Sequence, residues 1–375
     1  MKNAVVLIAA GSITLSAIAQ SQRVYFGTGK GKGIYFAELD LKAGTLSPPQ
    51  LAAEVVRPGF LVIHPNRRFL YSTCSGQDLG KKGGVAAFEI NRDGTLTRLN
   101  VRSSKGQGPS HVSVDATGQC LMVSYYGSGG VASFQILEDG SLSEARSEHQ
   151  HAGSGAHPKR QQGPRAHSIY PNPENTHAYS PDLGIDKVMI YRLDPGAGTL
   201  TDPSFAEVPG GSMGPRHMKW SAEGAYAYVL NELDLSVSVF KPGALPGSLE
   251  FLTTVSTLPE GADPEGMTCS EIRIHPNGKF IYAANRDVKR EGRDSLTVFS
   301  SFAHTEGFRR LATVPAEVSV PRNFNIDPSG QWILVGGLRS NDIAIFKVDS
   351  KTGQLAFTGT KVPFEGTPIC IEFLD

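Results

Sequence analysis

Apolar and polar positions alternate along this chain in short bursts that recur from end to end. The stretch Gly214-Pro-Arg-His-Met-Lys-Trp-Ser-Ala-Glu-Gly-Ala-Tyr-Ala-Tyr-Val-Leu-Asn-Glu232-Leu is the plainest of them. Residues 217–220 and 225–230 read as two β-strands joined by a turn, and Tyr226 and Tyr228 give the second strand the period-2, aromatic-rich pattern of a half-buried strand. In an antiparallel hairpin the start of the first strand and the end of the second are neighbours. Arg216 and His217 are therefore expected beside Asn231 and Glu232.

The same unit repeats. A Gly, Pro or small residue opens a short strand, a turn such as Pro-Asn-Gly follows, an aromatic-rich strand returns, and a third strand ends in Phe or Tyr. Copies begin at Pro58, Gly108, Gly163, Gly214, Cys269 and Val320, so successive starts differ by 50, 55, 51, 55 and 51 residues. Turns such as Asn-Arg-Asp-Gly-Thr-Leu and Glu-Asp-Gly-Ser-Leu lead into a fourth strand in each copy. Four strands on a period near 50 residues predict an all-β, seven-bladed β-propeller with four-stranded antiparallel blades. Residues 366–375 supply only one strand of a seventh copy, and residues 23–28 and 33–39 supply further strands of it. A blade shared between the two termini closes the ring and removes open sheet edges. Residues 20–375 are thus expected to form one propeller domain.

Composition narrows the partners. Lys+Arg 36 balances Asp+Glu 36, which gives no broad attraction to nucleic acid or to an anionic membrane surface. Residues 1–19 place Lys2 before an apolar run and end in Ala17-Ile18-Ala19, the pattern of a signal peptide; the mature chain is expected to be exported, periplasmic or secreted, with no membrane span after cleavage. Cys74, Cys120, Cys269 and Cys370 lie far apart in strand-like segments and lack CxxC spacing, so buried free thiols are expected rather than a metal or redox site.

In a propeller the first strand of every blade lines the central channel. First-strand starts and second-strand ends then meet at one mouth, gathering Ser110, His111, Arg165, His167, Arg216, His217, Ser270, Glu271, Arg322, Asn323 and Thr367 with Ser75, Tyr125, Tyr126, Asp182, Asn231, Glu232, Asn285, Arg286 and Arg339. Turns at the other end, such as Ala-Glu-Gly and Pro-Ser-Gly, are ordinary solvent turns. Arginines converging from several blades suit a small anion, because guanidinium offers a fixed bidentate fork. The plainer reading is that these groups tie blades together. It is preferred for Asp182 and Asp186, and a surface or turn role is preferred for His64, His149, His151, His157 and His275. The segment 149–157 is His-rich but lacks metal-ligand spacing, and no metal or other cofactor is expected. For Arg216, Glu232, Arg286 and His167 a functional role is preferred, since clustered ionisable groups are where perturbed pKa values arise.

The strings GPRHMKWSAEGAYAYVLNEL (214–233), AHSIYPN and SPDLGIDKVMIYRLD (within 166–194), EIRIHPNGKFIYAANR (271–286), PRNFNIDPSGQWILVGG (321–337) and TPICIEF (367–373) resemble the seven-bladed propeller lactonase family, which includes propeller-type 6-phosphogluconolactonases and fungal carboxy-muconate lactonizing enzymes. The likeness spans nearly the whole mature chain, each string at its own blade. It implies hydrolysis of a sugar-derived lactone, with His167, Glu232, Arg216 and Arg286 as the catalytic set. His167 or Glu232 would be the base, and the arginines would hold the oxyanion or a substrate acid group. Arg322, Asn323, His111, Arg165, Tyr125 and His217 are expected to bind substrate. His217 is set below His167 as a catalytic candidate because strand alternation turns it away from Arg216. Two departures stand out: Pro164-Arg165-Ala166-His167 replaces the family's Pro-His-x-His, and the loop 287–294 is long and highly charged. The alternatives are muconate-type cycloisomerisation with the same residues, or a non-catalytic binding platform. The expected partner is a small anionic lactone, and the chain is expected to be a monomer.

Overall fold

The repeat folds as the alternation predicts. The computed structural model describes residues 21–374 apart from 77–78, 80–81 and 304–306; the signal-peptide expectation for 1–19 lies outside the described residues. Six four-stranded antiparallel sheets and one closing sheet stand in a ring. Blades 1 to 6 span residues 61–103, 109–150, 170–207, 215–256, 267–315 and 321–363. Their innermost strands are Leu61–Ile63, Pro109–Val114, Tyr170–Pro171, Pro215–Trp220, Met267–Ile274 and Pro321–Ile326. The closing blade runs Pro368–Phe373, Ser21–Thr28, Gly33–Asp40, with Val24 opposite Phe373 and Phe26 opposite Ile371. Its outer strand is split into Thr45–Leu46 and Gln50–Glu54, because Pro48 and Pro49 have no N–H to give the ladder.

Burial follows position in the blade. The second strand Phe280–Asp287 is buried at every residue, whereas the outer strand Leu142–Gln150 alternates inward and outward. Apolar side chains meet between neighbouring sheets; Tyr228, Leu230 and Val237 of blade 4 pack on Ile272, Ile281 and Phe299 of blade 5. The core is therefore an annulus around a polar channel, each such fully buried side chain contributing about 1.5–3 kcal/mol.

A second repeat links one blade to the next. Tyr25, Tyr71, Tyr179 and Tyr282 lie on second strands, and each hydroxyl donates to the carbonyl of a turn glycine in the following blade: Gly94 (3.0 Å), Gly140 (3.0 Å), Gly247 (2.8 Å) and Gly353 (3.0 Å). Trp332 Nε1 does the same toward Leu41 O (3.0 Å) and so ties blade 6 to the closing blade. The four cysteines are buried and unpaired with one another.

Candidate active site

At the channel mouth the inner strands are not regular. In blade 4, Pro215 pairs with Asn231 but His217 pairs with Leu230, so Arg216 is an extra residue. The same one-residue slip makes Arg322 extra between Pro321 and Asn323, Ser110 extra between Pro109 and His111, and Ile369 extra between Pro368 and Cys370. In blade 5, Ser270 and Glu271 face Ala284 alone. A β-bulge leaves its added residue unpaired and re-aims the side chain. Ser110, Arg216, Arg322 and Ile369 accordingly line one cavity of about 510 Å³ together with His167, His217, Glu232, Arg286, Arg160, Tyr126, Phe60, Asn323 and Val288.

The bulges have a local cause. The residue before each opening proline is left-handed: Gly108 (φ 62°), Gly214 (φ 66°), Val320 (φ 59°) and Thr367 (φ 60°). Its carbonyl turns to accept the N–H at the end of the second strand, from Tyr126 (2.9 Å), Glu232 (2.7 Å), Leu338 (3.0 Å) and Gly29 (3.0 Å) respectively. Val320 and Thr367 are β-branched, for which positive φ is strained, and such strain clusters at functional sites.

Blade 3 reaches an irregular inner strand by another route. His167 N–H bonds Pro181 O (3.0 Å), but Pro181 has no N–H to return the bond. The His167 carbonyl accepts from the Ser110 hydroxyl instead (2.9 Å). Only Ala166, paired with Asp182, and Tyr170–Pro171 remain in the ladder.

Glu232 is the centre of charge. Its Oε2 takes Arg216 Nε at 2.9 Å and Arg286 Nη2 at 3.2 Å, and its Oε1 takes Arg160 Nη2 at 2.6 Å. Burial by itself would raise the Glu232 carboxyl; Arg286, Arg216 and Arg160 override it and hold it far below the usual carboxylate range. Arg216 also gives Nη1 to Ser270 O and, at 3.1 Å, to His217 Nε2. His217 Nε2 is thus an acceptor, so Nδ1 carries the proton and donates to Glu271 at 3.0 Å. Glu271 is fixed in turn by Asn323 Nδ2. The chain Glu271–His217–Arg216–Glu232 fixes Arg216 from both sides and leaves its Nη2 without a hydrogen-bond partner among the described residues.

His167 has no hydrogen bond on its ring among the described residues, and its Nδ1 is buried. Burial, and then Arg216, lower its pKa well below the ordinary imidazole value, so the ring is neutral at pH 7. His217 is kept neutral in the same way, by burial and then Arg216. Arg322 forms no ion pair among the described residues; burial, then Arg216 and Arg286, press its pKa down to about 9. Among the lining residues four guanidiniums face a single carboxylate.

His167, Glu232, Arg216, Arg286, Arg322, Asn323 and His217 therefore gather at one cavity. Alternation does not turn His217 away from Arg216, because the bulge puts both consecutive side chains on the cavity wall. Three of the expected substrate contacts lie off the wall. Tyr125 is fully buried with its hydroxyl on Val131 O (3.3 Å), and its neighbour Tyr126 lines the cavity instead. His111 is packed between Phe60 and Tyr170, with ring centroids 4.2 and 4.4 Å away. Arg165 is drawn aside by Gly127 O (2.9 Å) and lies over the Tyr126 ring.

The structural preference for Asp182 holds: it accepts from His151 Nδ1 (2.6 Å) and from the N–H groups of Arg165 and Gly184. His151 is correspondingly not a surface residue but a buried partner of Asp182 and Tyr191. His64 and His275 stand at turns, each capping the turn with Nδ1 while Nε2 meets the next blade at Gly118 O and Gly330 O. The amide nitrogens of Asn231 and Asn285 donate within their own blades, to Ser236 and Ser238 and to Ser295 and Thr297. Arg160 was not among the expected site residues. Its only signal in the sequence is a basic Lys-Arg pair in the mouth-side loop between blades 2 and 3.

Known proteins share this architecture. A family model described as "Lactonase, 7-bladed beta-propeller" matches residues 20–373. A 6-phosphogluconolactonase of Bacillus subtilis is 34% identical over 356 residues, covering 93% of this chain and 97% of its own length. A 6-phosphogluconolactonase of Formosa agariphila is 32% identical, covering 87% and 91%. Among solved structures, the periplasmic gluconolactonase of Pseudomonas aeruginosa superposes with a TM-score of 0.86 at 28% identity, over 95% of this chain and 99% of that one. The chain belongs to the seven-bladed β-propeller lactonase family, and its relatives named 6-phosphogluconolactonase are carboxylic-ester hydrolases that open a lactone.

Proposed function

We propose that this protein hydrolyses a sugar-derived lactone that carries an acidic group, in the manner of a 6-phosphogluconolactonase, and that it does so after export. The observation that carries this reading is the cavity wall itself: four guanidiniums against one carboxylate, beside a neutral imidazole whose ring has no hydrogen bond among the described residues. Water attacks the lactone carbonyl while His167 takes its proton. Arg216 Nη2, with Arg286 beside it, receives the oxyanion. The tetrahedral intermediate then expels the ring oxygen, which recovers the proton from His167, giving the open hydroxy acid. A positioned base is worth about 10²–10⁴ in rate and an oxyanion donor about 10²–10³.

Glu232 is a poor base in this scheme. Three arginines stabilise its ionised form, and a carboxylate so strongly stabilised has little affinity for a proton. Its role is to hold Arg216, Arg286 and Arg160 at fixed angles. Arg322, which forms no ion pair among the described residues, adds to the positive potential of the wall, and that favours an anionic substrate.

The test is acid release from δ-gluconolactone, its 6-phosphate and a uronic-type lactone, with and without chelator. A catalysed rate that His167→Ala removes supports the reading; a rate equal to spontaneous opening on every lactone rejects it. Export is checked by N-terminal sequencing of the protein from the extracytoplasmic fraction, with Gln20 expected as the first residue.

A further inference from the structure

Arg160 reaches the cavity without belonging to a blade. It sits in the loop 151–163, between the outer strand Leu142–Gln150 and the inner strand of blade 3. Its side chain is 35% exposed, against 2% for Arg216 and 8% for Arg286, so it is the outermost of the three cations on Glu232. Both of its side-chain hydrogen bonds, to Glu232 Oε1 (2.6 Å) and to the Tyr126 hydroxyl (3.2 Å), use Nη2. Nε and Nη1 have no hydrogen-bonding partner among the described residues.

The loop is held in place by the next residue. Gln161 is 1% exposed; its amide donates to Leu183 O (2.8 Å) and Asp186 Oδ1 (2.6 Å) and accepts the His157 N–H (2.8 Å). Asp186 Oδ1 also accepts the N–H of Gly214 (2.7 Å), two residues before Arg216. A buried, fully used amide thus sets Arg160 relative to the strand that carries Arg216. Glu232 already has two buried arginines on Oε2, so a third cation at the rim exceeds what the carboxylate can neutralise.

We propose that Arg160 is a specificity-determining residue that holds the acidic group of the substrate, distal to the reacting carbonyl, and that Gln161 is its positioning residue. The lactone lies with its carbonyl inward at Arg216 and His167 and its acid group outward at Arg160. This rests on the lactonase reading above.

The experiment compares wild type, Arg160→Ala and Gln161→Ala on δ-gluconolactone and on its 6-phosphate, and measures binding of the two products, gluconate and 6-phosphogluconate, by calorimetry. Losing one charge-assisted contact predicts that Arg160→Ala lowers kcat/KM for the phosphorylated lactone about tenfold or more, through KM. The unphosphorylated lactone loses less, through the Glu232 contact alone, and 6-phosphogluconate binding weakens by the same factor as kcat/KM for the phosphorylated lactone. Gln161→Ala shifts KM in the same direction. An equal loss on both lactones, or none on either, overturns the proposal, because a purely structural role does not discriminate between them. Should wild type hydrolyse neither lactone, the hydrolase reading falls separately, and product binding alone decides: 6-phosphogluconate bound no more tightly than gluconate, or unaffected by Arg160→Ala, overturns the role of Arg160.

Discussion

Glu232 and His167 share one wall and one set of arginines, yet their surroundings suit them to different work. Glu232 is saturated by three guanidiniums, and His167 is left bare. Removing the carboxylate strands buried cations. Glu232→Gln is therefore expected to cost about 3–5 kcal/mol of stability, read as a lower urea midpoint. His167→Ala breaks no hydrogen bond of its ring; it is expected to keep the urea midpoint within about 1 kcal/mol of wild type while kcat falls about 10²–10⁴-fold. Equal activity in His167→Ala would remove it as the base. Because the folded-state pKa of His167 lies below the ordinary value, the proton-free form persists as pH falls through 6.5. The acid limb of kcat/KM should accordingly have its midpoint below 6.5, and a midpoint at or above that value contradicts a buried, partnerless imidazole. None of this was readable from residue types. The sequence left His167 and Glu232 as equal candidates, because desolvation and neighbouring charge exist only once blades meet.

At the scale of elements, the strand pattern was legible and its departures were not. Period-2 alternation located the strands, and turn residues located the hairpins. Alternation also separated His217 from Arg216, and there it failed, because a left-handed residue followed by proline builds a bulge that adds Arg216 to the wall. Gly214→Ala should test that device: a Cβ there would meet the Leu233 side chain at 2.5 Å, on a backbone at φ 66°. The variant is expected to lose about 1–3 kcal/mol of stability and to lose activity by shifting Arg216; wild-type kcat/KM would show the bulge dispensable. The tyrosine clasps offer a milder test. Tyr71→Phe strands the Gly140 carbonyl and should cost about 1 kcal/mol by urea unfolding with kcat unchanged. The long, highly charged loop 287–294 is drawn in on itself. Asp287 gathers the N–H groups of Lys289, Glu291 and Arg293 and the Arg293 guanidinium, leaving Val288 at the cavity.

Across the whole molecule, closure and buried titratable groups dominate. The inner strand of the closing blade, Pro368–Phe373, pairs with Ser21–Thr28 and packs beside the inner strands of blades 1 and 6, so deleting it bares the edge of Ser21–Thr28 and removes the packing on both neighbours. The truncated chain should aggregate or fail to fold, and a soluble, cooperatively melting product would contradict closure as a stabilising element. His111, His167 and His217 are all held neutral, chiefly by burial. Each binds its proton more readily in the unfolded chain, so stability is present above about pH 6.5 and is lost as pH falls below it. The slope is about 1.4 kcal/mol per histidine per pH unit. A urea midpoint that does not fall between pH 7 and pH 5.5 would show these rings charged in the folded state.

The sequence by itself determined the seven-fold repeat, the strand order within each blade, the closing blade and the mouth where charged side chains gather. Those properties follow from local alternation, turn residues and a fixed period, all carried by neighbours along the chain. Tertiary structure alone decided which mouth residues face the cavity, which nitrogen of His217 is protonated, that Arg160 joins Glu232 from a loop, and that Tyr125, His111 and Arg165 stand aside. These depend on one-residue register slips, on desolvation and on charges brought together from blades more than fifty residues apart, for which a linear pattern has no signal.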